Sequence, residues 1–441
     1  MRLTVLNSID DIVAHRLCSG CGACAYVSPD TYQMIDTAEH GRRPSRRMAL
    51  GDGTSDRDAV RVCPGVGLEH TFDRSDPGLI RDLLQGWGPV LEVWEGHATD
   101  ESIRFNASSG GATSAIAMAC IEQGGMHGVL HIKARSDAPI LNETVLSTTR
   151  EEILQATGSR YAPASPCDGL ALIENAPGPC VFIGKPCDVA AAVSAQEVRP
   201  ALRQRIGVTI AFFCAGTPTT EGTMKLLERL GVEDPSDVRE VRYRGNGWPG
   251  RTVVTVRTAE GVETRTLGYE ESWGEILTNH KQWRCKVCAD HTGEFADIAV
   301  GDPWYRDTDG SDPGRSLVLV RTERGRQVLR HAMNAGYLTL KRADPSILPA
   351  SQPNLLRGRG VAWARILTCR LLGVPAPRYR GLPMFRYWWQ TLTASEKIRS
   401  VAGTLRRILS RRLRVHLPLK SLEPRRHSLA TTAAETRRLA A

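Results

Sequence analysis

Short apolar runs recur along the chain, each closed by turn-forming residues and followed by a helical pattern. Val90-Leu91-Glu92-Val93-Trp94 alternates as a half-buried strand does. Gly128-Val129-Leu130-His131-Ile132, Cys180-Val181-Phe182-Ile183-Gly184 and residues 206–213 are apolar almost throughout, the pattern of strands covered on both faces. Residues 253–256 and 317–320 predict two more strands. Helical patterns lie between them at 114–121, 189–193 and 221–230. Buried strands feeding helices predict an α/β fold, or mixed α+β, with a parallel or mixed sheet. Ligand chemistry in such sheets gathers at the carboxyl ends of the strands.

The ends of the chain read differently. Residues 1–75 are rich in turn formers, and 41–58 read as an exposed loop dense in Arg, Gly, Asp and Ser. Ser75-Asp76-Pro77-Gly78 suggests a linker out of this segment. Residues 346–356, rich in Pro, Ser, Gln and Asn, read as another. The predicted organisation is a small ferredoxin-like segment at 1–75, core segments at 90–175 and 176–345, and a helical basic tail at 357–441. The length of 441 residues suits two or three domains.

Charge separates the tail from the rest. The net charge is +9, but residues 357–441 hold 19 Lys and Arg against 3 acidic residues, or +16. The remainder has 38 basic and 45 acidic residues, or −7. Such a tail suits an anionic membrane surface, nucleic acid, an acidic partner, or plain solvation. It opens on an aromatic group, Phe385-Arg386-Tyr387-Trp388-Trp389. A predicted helix then sets Ile398, Val401, Leu405, Ile408 and Leu409 on one face, with Arg406, Arg407, Arg411 and Arg414 largely elsewhere. That helix either lies in a membrane interface or packs on the body or a partner. No RNA-recognition motif is present, and nucleic acid is not expected. No run of about 18 apolar residues predicts a spanning helix. Residues 1–10 do not read as a secretory signal. A cytoplasmic protein is expected, with peripheral contact at the inner membrane face as an option.

The chain has 12 cysteines, and without an export signal a disulfide framework is not expected. Cys18, Cys21 and Cys24 form C-x2-C-x2-C, and Cys63 precedes Pro64. Three thiolates at that spacing can wrap three corners of a 4Fe-4S cubane, with a remote Cys-Pro as the fourth ligand. Gly20 and Gly22 permit close backbone approach and N–H donation to sulfur. Where the two-cluster ferredoxin run has a further cysteine, this chain has Ser28. Zinc is the rival, but its sites favour paired C-x2-C units or histidines. Cys285 and Cys288 form a second C-x2-C, readable as a redox dithiol, half a zinc site or half a cluster site. With Cys187 and Cys214, at the ends of two predicted strands, they make four thiols, enough for a second cubane if the fold gathers them. Cys120, Cys167, Cys180 and Cys369 read as small buried hydrophobes. Before the helix at 114–121 stands Ser108-Ser109-Gly110-Gly111-Ala112-Thr113, either an anion site with serine caps or a plain capped helix start.

These residues carry a family likeness. The chain resembles the beta subunits of coenzyme F420-reducing hydrogenases and dehydrogenases, a superfamily that includes plant 7-hydroxymethyl chlorophyll a reductase. The likeness rests on C-S-G-C-G-A-C at 18–24, S-S-G-G at 108–111, G-S-R-Y at 158–161, G-K-P-C at 184–187, F-C-A-G-T-P at 213–218, R-G-N-G-W-P-G at 244–250, C-K-V-C at 285–288 and A-D-I-A-V-G-D at 296–302, in family order. It implies FAD and two 4Fe-4S clusters, on Cys18, Cys21, Cys24 and Cys63 and on Cys187, Cys214, Cys285 and Cys288. It implies FAD contacts from Ser108, Ser109, Gly110, Gly111 and Thr113, and from Gly158, Ser159 and Tyr161. Asn246 and Trp248 would shape the flavin pocket. Asp302 would hold a flavin or substrate hydroxyl, or simply form a turn. Lys185 replaces the Thr of many relatives; near a flavin it could stabilise an anionic ring or a substrate carboxylate, and otherwise it is a solvated turn residue.

The function expected from this resemblance is an iron–sulfur flavoprotein oxidoreductase. Electrons would pass between ferredoxin or a partner subunit, the clusters, FAD and an organic acceptor or donor such as coenzyme F420. The alternative from a different class is a non-catalytic electron-transfer subunit of a larger redox complex. A zinc-bearing scaffold is a third reading.

Overall fold

The runs at 180–184 and 206–213 lie side by side near the middle of one eight-stranded sheet in the computed structural model, which describes residues 6–37, 40–47, 56–306 and 312–415. Its strands are β1 (Glu92–Ala98), β2 (Gly128–Ala134), β3 (Asn142–Ser147), β4 (Cys180–Gly184), β5 (Ile206–Phe212), β6 (Ile298–Gly301), β7 (Ser316–Val320) and β8 (Leu338–Arg342). They are ordered β8-β1-β7-β6-β5-β4-β2-β3. The four strands β2, β4, β5 and β6 run parallel, and antiparallel strands flank them on both sides. This is the mixed sheet that the apolar runs predict. Strands from 90–175 and from 176–345 interleave in it.

Alternation divides the core. Leu130, Phe182, Ala211, Ala299, Leu317 and Leu319 point to one face, and Val129, Val181, Val208, Ile210, Ile298 and Val318 to the other. Three helices cover the faces: α1 (Ala112–Glu122), α2 (Pro186–Val198) and α3 (Glu323–Asn334). α2 packs Val189, Ala191, Ala192 and Ala195 on the first face; α1 and α3 cover the second. Small alanines let these helices sit close to the strands, and both faces are dry. A separate three-stranded antiparallel sheet, Val238–Arg242, Thr252–Thr258 and Gly261–Leu267, has its own core around Leu226, Tyr243 and Val254.

Two expectations fail at the ends. Residues 41–46 are not a loop: Gly41–Arg46 pairs antiparallel with Tyr32–Thr37. Arg43 and Pro44 face inward there, and a buried arginine leaves no mark in composition that separates it from a solvated one. Residues 48–55 of the same stretch lie outside the described residues. Residues 346–356 are not a linker either. Ile347–Ser351 is helical, and α4 (Pro353–Leu371) starts inside the stretch with proline at its first position, where no N–H is needed. Leu348 and Leu355 join the first core.

The C-terminal helices are therefore part of the body. α5 (Phe385–Gln390) and α6 (Ala394–Ser410) follow α4, and α6 opens on a capping box of Thr393 and Glu396. Ile366, Cys369, Ile408 and Leu413 share a core with Ile9, Ile12 and Leu17 from the N-terminus and with Trp283 and Val287. No helix among the described residues is long and apolar enough to cross a membrane.

A buried ion pair ties α4 inward. Arg359, with a side chain 4% exposed, pairs with Glu294, 1% exposed, and donates to the Gly86 carbonyl at 2.8 Å. Burial alone would raise the Glu294 pKa, but Arg359 first, then His70 and Arg321, outweigh it and hold the carboxyl at about 2. A depressed carboxylate stabilises the fold above its unfolded pKa of about 4.3, and that contribution is lost as pH falls toward 2. Glu294→Gln strands the Arg359 charge and is expected to cost about 3–5 kcal/mol in denaturant unfolding at pH 7. The variant should also lose part of the wild-type slope of stability against pH between about 4.5 and 2, measured by denaturant titration at each pH.

Candidate functional site

The carboxyl ends of β4, β5 and β6 open onto a cavity of about 310 Å³. This is the position where doubly wound sheets place ligands, and the volume lies at the small end of the usual cofactor range. Ile183, Phe212, Phe213 and Val300 continue from the strands into its walls, and Tyr161, Tyr269, Trp273 and Trp304 add aromatic surface. Two loops singled out in the sequence meet here. Ser108, Ser109, Gly111 and Thr113 line the cavity beside Gly158, Ser159 and Tyr161. The loops are joined directly: Ser159 N donates to Ser108 Oγ at 2.5 Å.

The start of α1 differs from the serine-capped form. Its cap is Gly111, in the left-handed region at φ +76°, with no side-chain cap. Ser109 Oγ donates to the Arg315 carbonyl instead. Ser316 Oγ accepts from Gly110 N at 2.9 Å and Ala112 N at 3.4 Å. Gly110 does not line the cavity; it lies where β1 and β7 come together. A Cβ there would sit 2.6 Å from Ser316 N and 2.7 Å from the Gly96 oxygen, so only glycine fits. Thr113 and Ser114, one step further into the helix, do face the cavity. A helix start with side-chain hydroxyls on its open side suits a phosphate group.

Asp302 lines the cavity, but its carboxylate is engaged. Arg244 holds it with Nη2 to Oδ1 at 2.8 Å and Nη1 to Oδ2 at 3.1 Å, and Trp248 Nε1 donates to Oδ1 at 2.9 Å. Arg244 also donates to the Pro249 carbonyl at 2.7 Å and lies over Tyr269 and Trp304, 5.0 and 5.5 Å from the ring centres. Asp302 thus anchors the arginine and the aromatic wall rather than standing free for a hydroxyl. Trp248 backs that wall against Trp304 at 5.1 Å and does not itself line the cavity. Asn246 does not line it either; at φ +59° it turns the 244–250 loop.

Lys185 is not a solvated turn residue. Its Nζ sits 2.6 Å from Asp188 Oδ2 at the cavity edge, and its N–H donates to the same oxygen at 3.0 Å. Burial favours release of its proton, but Asp188, then Cys187, outweigh burial and hold the ammonium well above its usual range.

The fold brings the cysteines of each group near one another. Cys18, Cys21, Cys24 and Cys63 line one small pocket with Ile9, Ile12, Met34 and Pro44. Gly20 N donates to Cys18 Sγ at 3.3 Å, the contact its left-handed φ of +76° permits. In the second group, Cys214 follows β5 and Cys187 begins α2. The 214–219 loop is tied to the C-x2-C segment by Gln282 N to Thr217 O at 3.1 Å and Thr219 N to His280 O at 3.0 Å. Thr217 N donates to Cys285 Sγ at 3.3 Å. The Cys214 thiol, pushed up to about 12 first by burial and then by Cys285, lines the cavity. No group of three or more His, Cys, Asp or Glu among the described residues converges on a single metal ion.

Charge supplies the test of fit. Arg43 and Arg284 are 5% and 2% exposed, and neither has a carboxylate partner among the described residues. Arg43 donates to the Arg42 carbonyl and to Gln282 Oε1; Arg284 donates to the Pro64 carbonyl, and its Nε has no partner. Arg43 feels Cys18 of one set and Cys285 of the other. Arg284 feels Tyr379 first, then Cys288, Cys187 and Cys285, and it offsets a small part of the rise that burial imposes on the Cys18 and Cys63 thiols. A buried cation without an anion is costly. Thiolate-bound iron–sulfur clusters are anionic, so the site fits them.

Cys167 is the cysteine that its sequence context hid. It is fully buried, and its N–H donates to the Cys21 carbonyl at 2.9 Å. Its thiol lies 3.2 Å from the Asp188 carbonyl, to which it can donate, and its hydrogen bond with Cys21 holds that thiol below its usual range. It therefore bridges the first cysteine set and the Lys185–Asp188 turn beside the second. Nothing in the local spacing marks it. Cys120 and Cys180 do lie in apolar core, as expected. Gln352 and Leu355 were hidden within the supposed linker; both line the cavity, and Gln352 Nε2 donates to the Asp302 carbonyl at 2.6 Å.

Comparison with known proteins places this architecture. Residues 93–171 match the family model for the N-terminal part of the coenzyme F420 hydrogenase/dehydrogenase beta subunit, and residues 179–346 match the model for its C-terminal part. The chain is 26% identical over 349 residues to an uncharacterised protein of Methanocaldococcus jannaschii, covering 73% of this chain and 88% of that one. It is 26% identical over 293 residues to the coenzyme F420 hydrogenase beta subunit of Methanococcus voltae, covering 64% of this chain and 95% of that one. One of the subunits of the F(420)H(2) dehydrogenase of Methanosarcina mazei is 23% identical over 352 residues, with 79% and 88% covered. A chain of the F420-reducing [NiFe] hydrogenase complex from Methanosarcina barkeri shares the fold, with a TM-score of 0.50 at 21% identity over 69% of this chain and 98% of that one. With the two models spanning most of the eight-stranded sheet and the site at its strand ends, the chain belongs to the coenzyme F420 hydrogenase/dehydrogenase beta-subunit family.

Proposed function

We propose that the protein is an iron–sulfur flavoprotein oxidoreductase. It would exchange electrons between ferredoxin or a partner redox subunit and an organic acceptor, with coenzyme F420 as the acceptor or donor that its relatives suggest. The observation that carries this reading is the pair of buried arginines, without a carboxylate partner among the described residues, between two four-cysteine sets, one of which opens onto the cavity. Cys18, Cys21, Cys24 and Cys63 would hold one 4Fe-4S cluster, and Cys187, Cys214, Cys285 and Cys288 the other. The 108–114 turn and the 158–161 loop would hold FAD. Bound FAD exchanges hydride with organic partners and single electrons with clusters, which carry one electron at a time.

The chain's own residues supply the setting. Arg43 and Arg284 balance negative charge at both thiol sets. Lys185 Nζ keeps its proton and holds a fixed positive charge at the cavity edge, next to Cys187. The Arg244–Asp302 pair fixes the aromatic wall and spares the cavity a mobile charge. Phe212, Phe213 and the tryptophans limit water at the strand ends. A second reading, an electron-transfer subunit without its own substrate, draws on the matched hydrogenase structure being a complex. Flavin reoxidation by a small acceptor with the isolated chain separates the two.

Anaerobic purification should yield about eight iron, eight sulfide and one FAD per chain. Zinc without flavin would overturn the proposal. Cys63→Ala and Cys288→Ala should each lower iron to about four per chain, and the double variant to near zero. Unchanged iron in either single variant would remove that residue from its ligand set.

Arg284→Gln removes a buried positive charge shared by both sets and should move both cluster potentials negative. A shift of about 60 mV, the one-electron equivalent of a tenfold change, is expected in a redox titration followed by electron paramagnetic resonance. Unchanged potentials with full iron content would show that Arg284 does not balance the clusters.

A further inference from the structure

α6 is turned the wrong way for an ordinary surface helix. A helix on a soluble body hides its apolar stripe. This one packs on the body through Ser400, Thr404 and Ile408, which are 4%, 0% and 2% exposed. Its large aliphatic residues face out: Ile398 is 68% exposed, Val401 37%, Leu405 41% and Leu409 74%. They recur at three- and four-residue steps and so form one stripe. Of the five residues on the predicted apolar face, only Ile408 turns inward. Beside the start of α6, α5 exposes Phe385 and Trp389, whose rings lie 6.3 Å apart, and Lys397 Nζ sits 5.0 Å from the Trp389 ring centre.

The charge around this stripe has one sign. Residues 397–415 contain seven Lys and Arg and no acidic residue. Arg399 and Arg406 are exposed along one edge of the stripe. The only carboxylate of α6, Glu396, is occupied by the Thr393 cap and by Arg357. An exposed aliphatic stripe bordered by arginines, with an exposed tryptophan at one end, meets both requirements of an anionic lipid surface: acyl depth for the apolar face and headgroup phosphates for the cations. Nucleic acid would pair the arginines and leave the aliphatic stripe in water. A second copy would bring the same cations face to face.

We propose that α5 and α6 form a docking face for an anionic phospholipid bilayer, on which the protein lies without spanning it. This stands independently of the redox proposal, because it uses none of the site residues. The test is vesicle flotation of the full-length, anaerobically purified protein. Vesicles of phosphatidylcholine with phosphatidylglycerol are compared with phosphatidylcholine alone. The wild type should bind the anionic vesicles at least about tenfold more tightly, and added salt should weaken binding through screening. Ile398→Ser with Leu409→Ser changes two exposed side chains, so flavin, iron content and melting temperature should hold while vesicle binding falls about tenfold. Arg399→Glu with Arg406→Glu should erase the preference for anionic lipid. Equal binding to both vesicle types, no binding at all, or wild-type binding by the serine variant overturns the proposal. So does sedimentation showing a dimer that the serine variant dissolves, with no vesicle binding.

Discussion

Two buried guanidinium groups set the terms for the site. Arg43 comes from the N-terminal hairpin and Arg284 from the C-x2-C segment, and both sit between two sets of cysteines with no carboxylate among the described residues to meet them. Taking a cation out of water costs several kcal/mol unless an anion accompanies it. Neutral thiols cannot balance that charge; thiolates bound to iron can. The same burial pushes most of these thiols upward, Cys24 and Cys187 well above the usual range, so assembly of the proposed clusters would have to displace their protons. Cations and thiols are each poorly solvated alone, and each lowers the cost of the other.

The rest of the architecture brings these groups to one place. Parallel strands deliver Lys185, Cys214 and Asp302 to the same edge of the sheet, where the cavity lies. Cys167 and the Lys185–Asp188 turn join the first cysteine set to the second through contacts of hydrogen-bond length. The short chain of sulfur, backbone and ammonium gives the proposed electron path a continuous packed medium. The Arg244–Asp302 pair keeps the facing wall in place, because the arginine is buried between the aromatic rings and the carboxylate also holds Trp248.

The C-terminal helices serve two sides. α4 reaches in with Arg359 to Glu294 and with Gln352 to the Asp302 carbonyl, which links the outer helices to the cavity floor. α6 closes the core over the N-terminal cysteine segment with Ile408, while its opposite, aliphatic side stays uncovered. The basic charge of this region is therefore not a loose appendage but part of a surface fixed on the body.

Patterning alone determined much of this protein. Buried runs at 128–132, 180–184, 206–213 and 317–320 have no other stable use than strands covered on both faces, and all four lie in one sheet. The cysteine spacing at 18–24 and 285–288 is local chemistry, legible because three or two residues of separation already place sulfurs on one turn. What depended on tertiary structure was every pairing across distance and every direction of a side chain. Arg43 and Arg284 look like solvated arginines until folding encloses them. Cys167 looks inert until it lies against Cys21. The polar stretch at 346–356 looks like a linker until Leu348 and Leu355 find the core and Gln352 finds a carbonyl. The amphipathic period of α6 was plain, but which face turns inward was decided by what its neighbours could accept, and a period carries no information about its neighbours.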